Sequence, residues 1–517
     1  MRSHSSTAAV RPFQTGYFEE ALPLVVIFAF GALCLLLAVG GFSDYDDRRY
    51  VEAADAWLAH APFIGTTHWH LRHPLVLSIA ASFWLFGRNE FALMLPTILC
   101  YFGTLFLTFR MVLSVSDRAS ATLSAILVAA TPLFPFYARV SFPDGMEVFL
   151  TVLSLWLFLQ GTERDRTALL IGSGVVLGLA WILRATAAPL ALLYGVLFLA
   201  GYRIKRYRYF LIGLGFVPVI AGEMLFYFAY AGDAFYRFAV DPRSLDVYSP
   251  AVIFGGSMHG LRPPFNFELM KSWTPVGPIH VHWLVDPYIG FFTNGNFGLI
   301  YYTGIWAAIV LCFRRDRSSA DREFARLICL WSVLSLIFII YVLNLRPEPR
   351  YFSTITWTMA VLTGLWLQEN ISRHRWWFAG ALVTVILLSN AFLMNLRPDP
   401  LYTLRTLASY SETASEPIWI GGDLGAHSAS VRKLVGVADR IRVGTADMVP
   451  SGELFFTTRG EAQALIGSGW NEVWDKQPSI ALLATPFELV KPWLPARVWS
   501  ALHRNYPEMV AIRSPQA

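Results

Sequence analysis

Residues 21–50 read ALPLVVIFAFGALCLLLAVGGFSDYDDRRY, and this stretch decides the fold. Its first part, 21–41, carries no charged side chain. About 20 apolar residues are enough to cross the hydrocarbon core of a bilayer. Five charged side chains, Asp44, Asp46, Asp47, Arg48 and Arg49, follow within nine residues. An apolar run that ends so abruptly delivers a polar segment to one face of a membrane.

The same alternation runs through the chain. Of its 517 residues 55% are hydrophobic and only 15% charged, whereas a soluble domain carries about 25% charge. Mean hydropathy is +0.47. Runs long enough to be spans fall at 21–41, 91–113, 119–136, 144–161, 167–182, 185–202, 208–231, 297–313, 325–345, 351–368 and 376–394. The expected fold is therefore mainly α: a polytopic transmembrane helical bundle of about eleven spans.

Loop charge sets the orientation. With the N-terminus inside, the inner segments hold Arg118, Arg164, Arg166, Arg203, Lys205, Arg206, Arg314, Arg315, Arg317, Arg373 and Arg375. The short outer turns hold few cations: Arg139, Arg184, Arg346 and Arg350. This topology predicts a cytoplasmic tail at 1–20, a transmembrane domain at 21–395 and an extracytoplasmic α/β domain at 396–517. Residues 42–90 and 232–296 become outer loops.

The run 73–86 is too short for a span, and counting it would turn every later Arg cluster outward. It reads as a surface or re-entrant helix. The segment 46–61 sets Tyr50, Ala53, Ala54, Trp57, Leu58 and Ala61 at helical spacing, as an amphipathic surface helix would, with Ser43 or Asp44 as its cap. After residue 399, β-rich runs at 417–421, 440–444, 453–458, 479–483 and 509–513 alternate with helical stretches near 426–434, 460–467 and 488–503.

Other classes are disfavoured. The formal net charge of +5 is spread over several loops, so nucleic acid is not an expected partner. Cys34, Cys100, Cys312 and Cys329 lie in or beside apolar runs without ligand spacing. They read as small core residues. No small-residue cleavage pattern follows the first apolar run, which reads as a retained helix.

Five polar sets fall on the predicted outer face. Asp44, Asp46 and Asp47 offer a general base or simply an acidic helix start. His68-Trp69-His70-Leu71-Arg72-His73 mixes faces in any regular conformation, so phosphate contact suits it better than metal binding. Asp144 opens a span, where N-capping would also use it. Arg184 stands alone between apolar helices, where snorkelling to headgroups is the plain alternative. Asn344–Phe352 is a Pro-rich turn carrying Arg346, Arg350 and Tyr351. Acids and separated cations gathered on one face suit a phosphate-bearing lipid and a base-activated acceptor.

At these residues the chain resembles the C-type glycosyltransferases, nearest to the bacterial branch of protein-mannosyltransferase-like proteins and lipid A aminoarabinose transferases. The matching features are Asp46-Asp47-Arg48-Arg49-Tyr50, Arg72-His73-Pro74, Leu85-Phe86-Gly87, Asp144 and Arg350-Tyr351, over roughly residues 20–370. The resemblance implies a multi-pass protein of a bacterial inner membrane that moves a sugar from a polyprenyl-phosphate donor with inversion. It implies Asp46 as catalytic base, Asp47 beside it and Asp144 as a further acid of the site. Arg49, Tyr50, Arg72, His73, Arg184, Arg346, Arg350 and Tyr351 would bind substrate. His73 falls where relatives often carry a phosphate-binding Lys or a His, so its charge there would depend on pH. No cofactor beyond the lipid-linked sugar is expected, and a divalent metal is not. Membrane lipids, the donor and a glycan, lipid or protein acceptor are the implied partners.

A transporter or flippase is the rival reading. It would place ionisable groups near mid-span, whereas the spans here are almost free of acid, Glu223 excepted. A polymerase or ligase of polyprenyl-diphosphate-linked glycans would not need the acidic pair after the first span. A scaffold explains none of the clustering. The loop 232–296, with Asp233, Asp241, Arg243, Asp246, His259, His280, His282 and Asp286, reads equally as a lid over the site or as packing for the C-terminal domain.

Overall fold

The computed structural model describes residues 17–38, 42, 46–244, 273–276, 279–282, 298–313, 319–343, 349–396, 403, 406–407, 410–411, 416–421, 441–476 and 508–515. Helix α1 (Tyr17–Leu37) is the first apolar run. The amphipathic α2 (Asp46–Ala59) follows and buries Tyr50, Val51, Ala53 and Ala54. Leu58, expected on the same face, is 47% exposed. Pro74 opens α3 (His73–Phe86), where its missing N–H costs nothing. Gly87 closes α3 at φ 78°, a conformation glycine adopts without strain. The guanidinium of Arg88 forks onto Asp55 at 2.8–3.1 Å and ties this corner to the end of α2.

Helix α4 (Glu90–Val115) starts at Asn89, whose side chain accepts the Ala92 N–H. Asp117 caps α5 (Arg118–Ala130) through the Ser120 N–H. The interval 119–136 is not one straight span. It breaks into α5 and α6 (Leu133–Arg139), which meet at a 57° bend. Thr131-Pro132 lies at the break, where proline disfavours helix in the residue before it and lacks an N–H of its own.

Next come α7 (Pro143–Glu163), α8 (Thr167–Leu183), α9 (Ala188–Ala200), α10 (Phe210–Ala231) and α11 (Tyr236–Ser244). After the β1 (Trp273–Val276) and β2 (Ile279–His282) hairpin stand α12 (Leu299–Phe313), α13 (Ser319–Ile337), α14 (Ser353–Ser372) and α15 (Trp376–Leu396). Every one of the eleven expected intervals contains helix. Among the described residues four helices are long and apolar enough to cross a membrane unaided, or five with the bent pair as one span. Thr167–Leu183, Ala185–Ala200 and Leu299–Phe313 are apolar but shorter. Helix α14 is buried along nearly its whole length. Its Thr356, Thr358 and Thr363 return their hydroxyls to carbonyls four residues back, so polar groups enter the bundle already satisfied.

Small residues let α8 and α10 touch backbone to backbone. A Cβ on Gly174 would stand 1.9 Å from the Ile212 carbonyl oxygen, and one on Gly215 2.0 Å from that of Ile171. Such close crossings are how helices pack where lipid gives no hydrophobic drive. Apolar side chains such as Leu22, Phe210, Leu214, Leu225 and Trp376 point outward, as a lipid-facing surface requires.

The C-terminal strands form one sheet in the order β4-β3-β5-β7-β6. These are β3 (Ile418–Ile420), β4 (Ile441–Val443), β5 (Leu454–Thr458), β6 (Asn471–Lys476) and β7 (Met509–Arg513). The first three run parallel, while β7 is antiparallel to both β5 and β6. Alternation divides the side chains between two faces. Leu454, Phe456, Met509 and Ala511 join the cluster that holds Tyr50, Val51 and Leu75, so one face packs toward α2 and α3. Phe455, Val510 and Ile512 face Ala462 of α16 (Arg459–Ile466). The expected strand at 479–483 and the helices near 426–434 and 488–503 lie outside the described residues.

Candidate functional site

The polar sets converge where α2, the α3 entrance and the turn before α14 meet. Asp46, the first residue of α2, pairs with Arg350 at 3.1 Å, although 304 positions separate them in sequence. The pair keeps partial access to water, with side chains 27% and 22% exposed. Both groups therefore stand on one side of the bundle. One turn along the same face of α2, the Tyr50 hydroxyl accepts a hydrogen bond from Arg72. Burial raises the pKa of Tyr50, Arg72 opposes the shift and Asp46 reinforces it, so the tyrosine stays neutral.

A second knot of charge adjoins the first. Arg184, only 8% exposed, pairs with Asp144 and stands 3.7 Å from Glu147. Its backbone closes α8 through a bond to Ala180. Asp144 makes no cap bond: Phe142 holds the cap position of α7 and Pro143 the first turn. The snorkelling and capping alternatives thus give way to a buried ion pair. The guanidiniums of Arg184 and Arg350 flank one ring, lying 4.8 and 5.0 Å from the centre of Tyr351. An aromatic face attracts a cation, so Tyr351 makes a spacer that two like charges can share.

His68 lies within the field of this cation group. Burial, then Arg72, Arg184 and Arg350, push its pKa down to about 2. At neutral pH the imidazole therefore carries no charge. His73, by contrast, faces aromatic walls: Trp57, Phe226 and Tyr227 stand 5.4–6.0 Å away, ring centre to ring centre. Burial first and Arg237 second hold its pKa down to about 4. Its charged form is therefore disfavoured at neutral pH. Among the described residues no three His, Cys, Asp or Glu side chains stand together as metal ligands would.

Not every expected residue joins the cluster. Asp47 is fully buried and accepts the Arg48 N–H at 3.2 Å, a helical step away from Asp46. Arg49 turns outward to Glu52 at 3.0 Å, both side chains being about two-fifths exposed. Arg346 lies outside the described residues, as do Ser43, Asp44, Asp246, His259 and Asp286. For Asp241, Arg243, His280 and His282 the backbone alone is described. Sequence reasoning gave no role to Glu147, three residues after Asp144 on the same helix. It also passed over Arg237, the partner of Glu223 at 2.9 Å. Nothing local marks Arg237, because it also bonds to the backbone carbonyls of Trp181 and Ile182, which no side-chain pattern encodes.

Residues 72–224 match the family described as dolichyl-phosphate-mannose-protein mannosyltransferase. YycA of Bacillus subtilis (strain 168), itself a candidate mannosyltransferase, is 29% identical over 126 residues. That match spans 24% of this chain and 18% of YycA. Among solved structures, the oligosaccharyltransferase of Archaeoglobus fulgidus in its apo form superimposes with a TM-score of 0.50 at 13% identity. It covers 82% of this chain, and the chain spans 64% of its length. ArnT of Cupriavidus metallidurans bound to undecaprenyl phosphate gives a TM-score of 0.49 at 13% identity, covering 96% of this chain and 98% of that one. The archaeal likeness is one of fold: a polytopic helical bundle.

Proposed function

We propose, from the premise that this chain resembles the C-type polytopic membrane glycosyltransferases in sequence and fold, that it moves a sugar from a polyprenyl-phosphate carrier to an acceptor hydroxyl on the outer membrane face, with inversion. The observation that carries this reading is the junction of the Asp46–Arg350 pair with the Arg184 knot around Tyr351. Arg350 and Arg184 meet Asp46, Asp144 and Glu147 there. An entering phosphate would compete with Asp46 for Arg350.

The chemistry follows from that exchange. Phosphate oxygens take the Arg350 fork, with Arg184 and Arg72 beside it, and Asp46 is released toward the acceptor. The acceptor oxygen attacks C1 of the sugar from the side opposite the phosphate. Its proton passes to Asp46, the C1–O bond breaks, and the electron pair leaves with the phosphate. The fixed cations meet the charge that develops on that oxygen without reorganising. Neutral His68 supplies one ring N–H and no further positive charge. Tyr50 holds Arg72 in place.

The match over residues 72–224 to a dolichyl-phosphate-mannose family supports a polyprenyl-phosphate sugar as donor. The clustering of ionisable groups at one face favours transfer over transport. The test is incubation of the purified full chain with a panel of radiolabelled polyprenyl-phosphate sugars. Release of polyprenyl phosphate is expected with one donor. Asp46→Asn is expected to slow it by about 10²–10⁴-fold while donor binding persists, as removal of a general base does. Consumption of no donor, or full turnover by Asp46→Asn, overturns the reading.

A further inference from the structure

The segment after α10 begins with α11, which contacts the chain close to two arginines of the cluster. Arg237 of α11 is 7% exposed. One guanidinium nitrogen donates to Glu223 at 2.9 Å and to the Ile182 carbonyl at 2.7 Å, and the other donates to the Trp181 carbonyl at 3.1 Å. Those carbonyls belong to the last turn of α8, where C=O groups have no helical partner and a cation meets the negative end of the helix dipole. Arg184 follows two residues later as the closing residue of that same turn.

The same helix also reaches the stretch that leads into Arg72. Val240 and Tyr236 share an apolar cluster with Tyr227 and with Leu71, the residue before Arg72. The Tyr236 hydroxyl donates to the Gly65 carbonyl at 3.1 Å. A helix of nine residues thus holds the backbone just before Arg184 and packs in the cluster that includes the neighbour of Arg72. Packing alone would not need a desolvated ion pair here. Replacing a buried pair by apolar side chains is often neutral or stabilising, whereas a buried pair is a good way to fix register.

We infer that α11 is a positioning brace for the anion site, with Arg237 setting Arg184 through the end of α8. This rests on the reading of the arginine cluster as the seat of a lipid phosphate. Arg237 touches no substrate; it acts through Arg184.

The test is a double-mutant cycle on the detergent-purified full chain, with binding of a polyprenyl monophosphate read by intrinsic tryptophan fluorescence. Arg184→Gln is expected to weaken binding about tenfold or more, as loss of a charge-assisted bond does. Arg237→Met with Glu223→Gln, which leaves neither charge orphaned, is expected to weaken it about tenfold as well. Because both act through one guanidinium, the three changes together should bind within about twofold of Arg184→Gln alone. Arg237→Lys keeps the charge opposite Glu223 but loses the planar fork onto two carbonyls. It should show the same non-additivity and serves if the paired variant fails to fold. Losses that multiply, or brace variants that bind like the unchanged protein, overturn the inference while leaving the anion site standing. An Arg184→Gln protein that binds normally overturns the anion site and the brace together.

Discussion

Replacing Arg184 by Met tests the electrostatic core of the site through stability rather than turnover. The side chain is 8% exposed, pairs with Asp144 and stands 3.7 Å from Glu147. Met preserves much of the volume and removes the charge, leaving two buried carboxylates facing each other. At an effective dielectric near 20, a charge pair at the Glu147 distance is worth about 4 kcal/mol. Breaking a buried pair from one side costs roughly 3–5 kcal/mol, because the remaining charge stays buried and unpaired. The expected result is a large drop in melting temperature of the detergent-purified protein, with loss of donor turnover. Adding Asp144→Asn and Glu147→Gln removes the orphaned charges. This triple variant should recover most of the stability and none of the turnover. If Arg184→Met alone melts like the unchanged protein, the carboxylates do not depend on that guanidinium and the reasoning fails.

Acidification should expose the buried histidines. His73 is held down to about 4 in the fold, against about 6.5 when unfolded. The unfolded chain therefore binds more protons between those values, and stability falls as pH drops below about 6.5, by about 2 kcal/mol at pH 5. Melting temperature measured from pH 7 to 5 should decline, and His73→Phe should flatten the decline; identical slopes would contradict the assignment. Gly174→Ala should force α8 from α10, because its Cβ meets the Ile212 carbonyl at 1.9 Å, and should cost roughly 1–3 kcal/mol. Gly195→Ala, with open space around it, should not lower the melting temperature. Arg49→Ala should leave donor turnover near that of the unchanged protein and change stability by less than about 1 kcal/mol, as exposed pairs do. A large loss of turnover would return Arg49 to the site.

The bundle was legible because span length and loop charge are one-dimensional signals. Each of the eleven intervals needed only an apolar run, and each holds helix. The bend at Thr131-Pro132 was visible as well, but apolarity on both sides hid it under a single span. Strand β6 escaped notice because Asn471, Glu472 and Asp475 are poor strand formers. They are tolerated there because, among the described residues, β6 is an edge strand paired with β7.

The site was legible only as a list of groups on one face. Topology placed Asp46 and Arg350 on the same side, but their contact bridges 304 positions and no local pattern encodes it. Arg184 announced itself as a lone cation among apolar helices, and the cost of such a charge is why it needed Asp144. His73 shows the opposite limit. Its neutrality comes from walls built by Phe226 and Tyr227 of α10, which the local Arg72-His73-Pro74 motif does not reveal. Arg237 remained hidden because it reads carbonyls, and every residue has one.

The most direct measurement is a high-resolution structure of this protein with a polyprenyl monophosphate bound. The account predicts phosphate oxygens within about 3 Å of the Arg350 and Arg184 guanidiniums, at hydrogen-bonding distance, with Asp46 no longer paired to Arg350. A phosphate seated away from these arginines, with the Asp46–Arg350 pair intact, would contradict it.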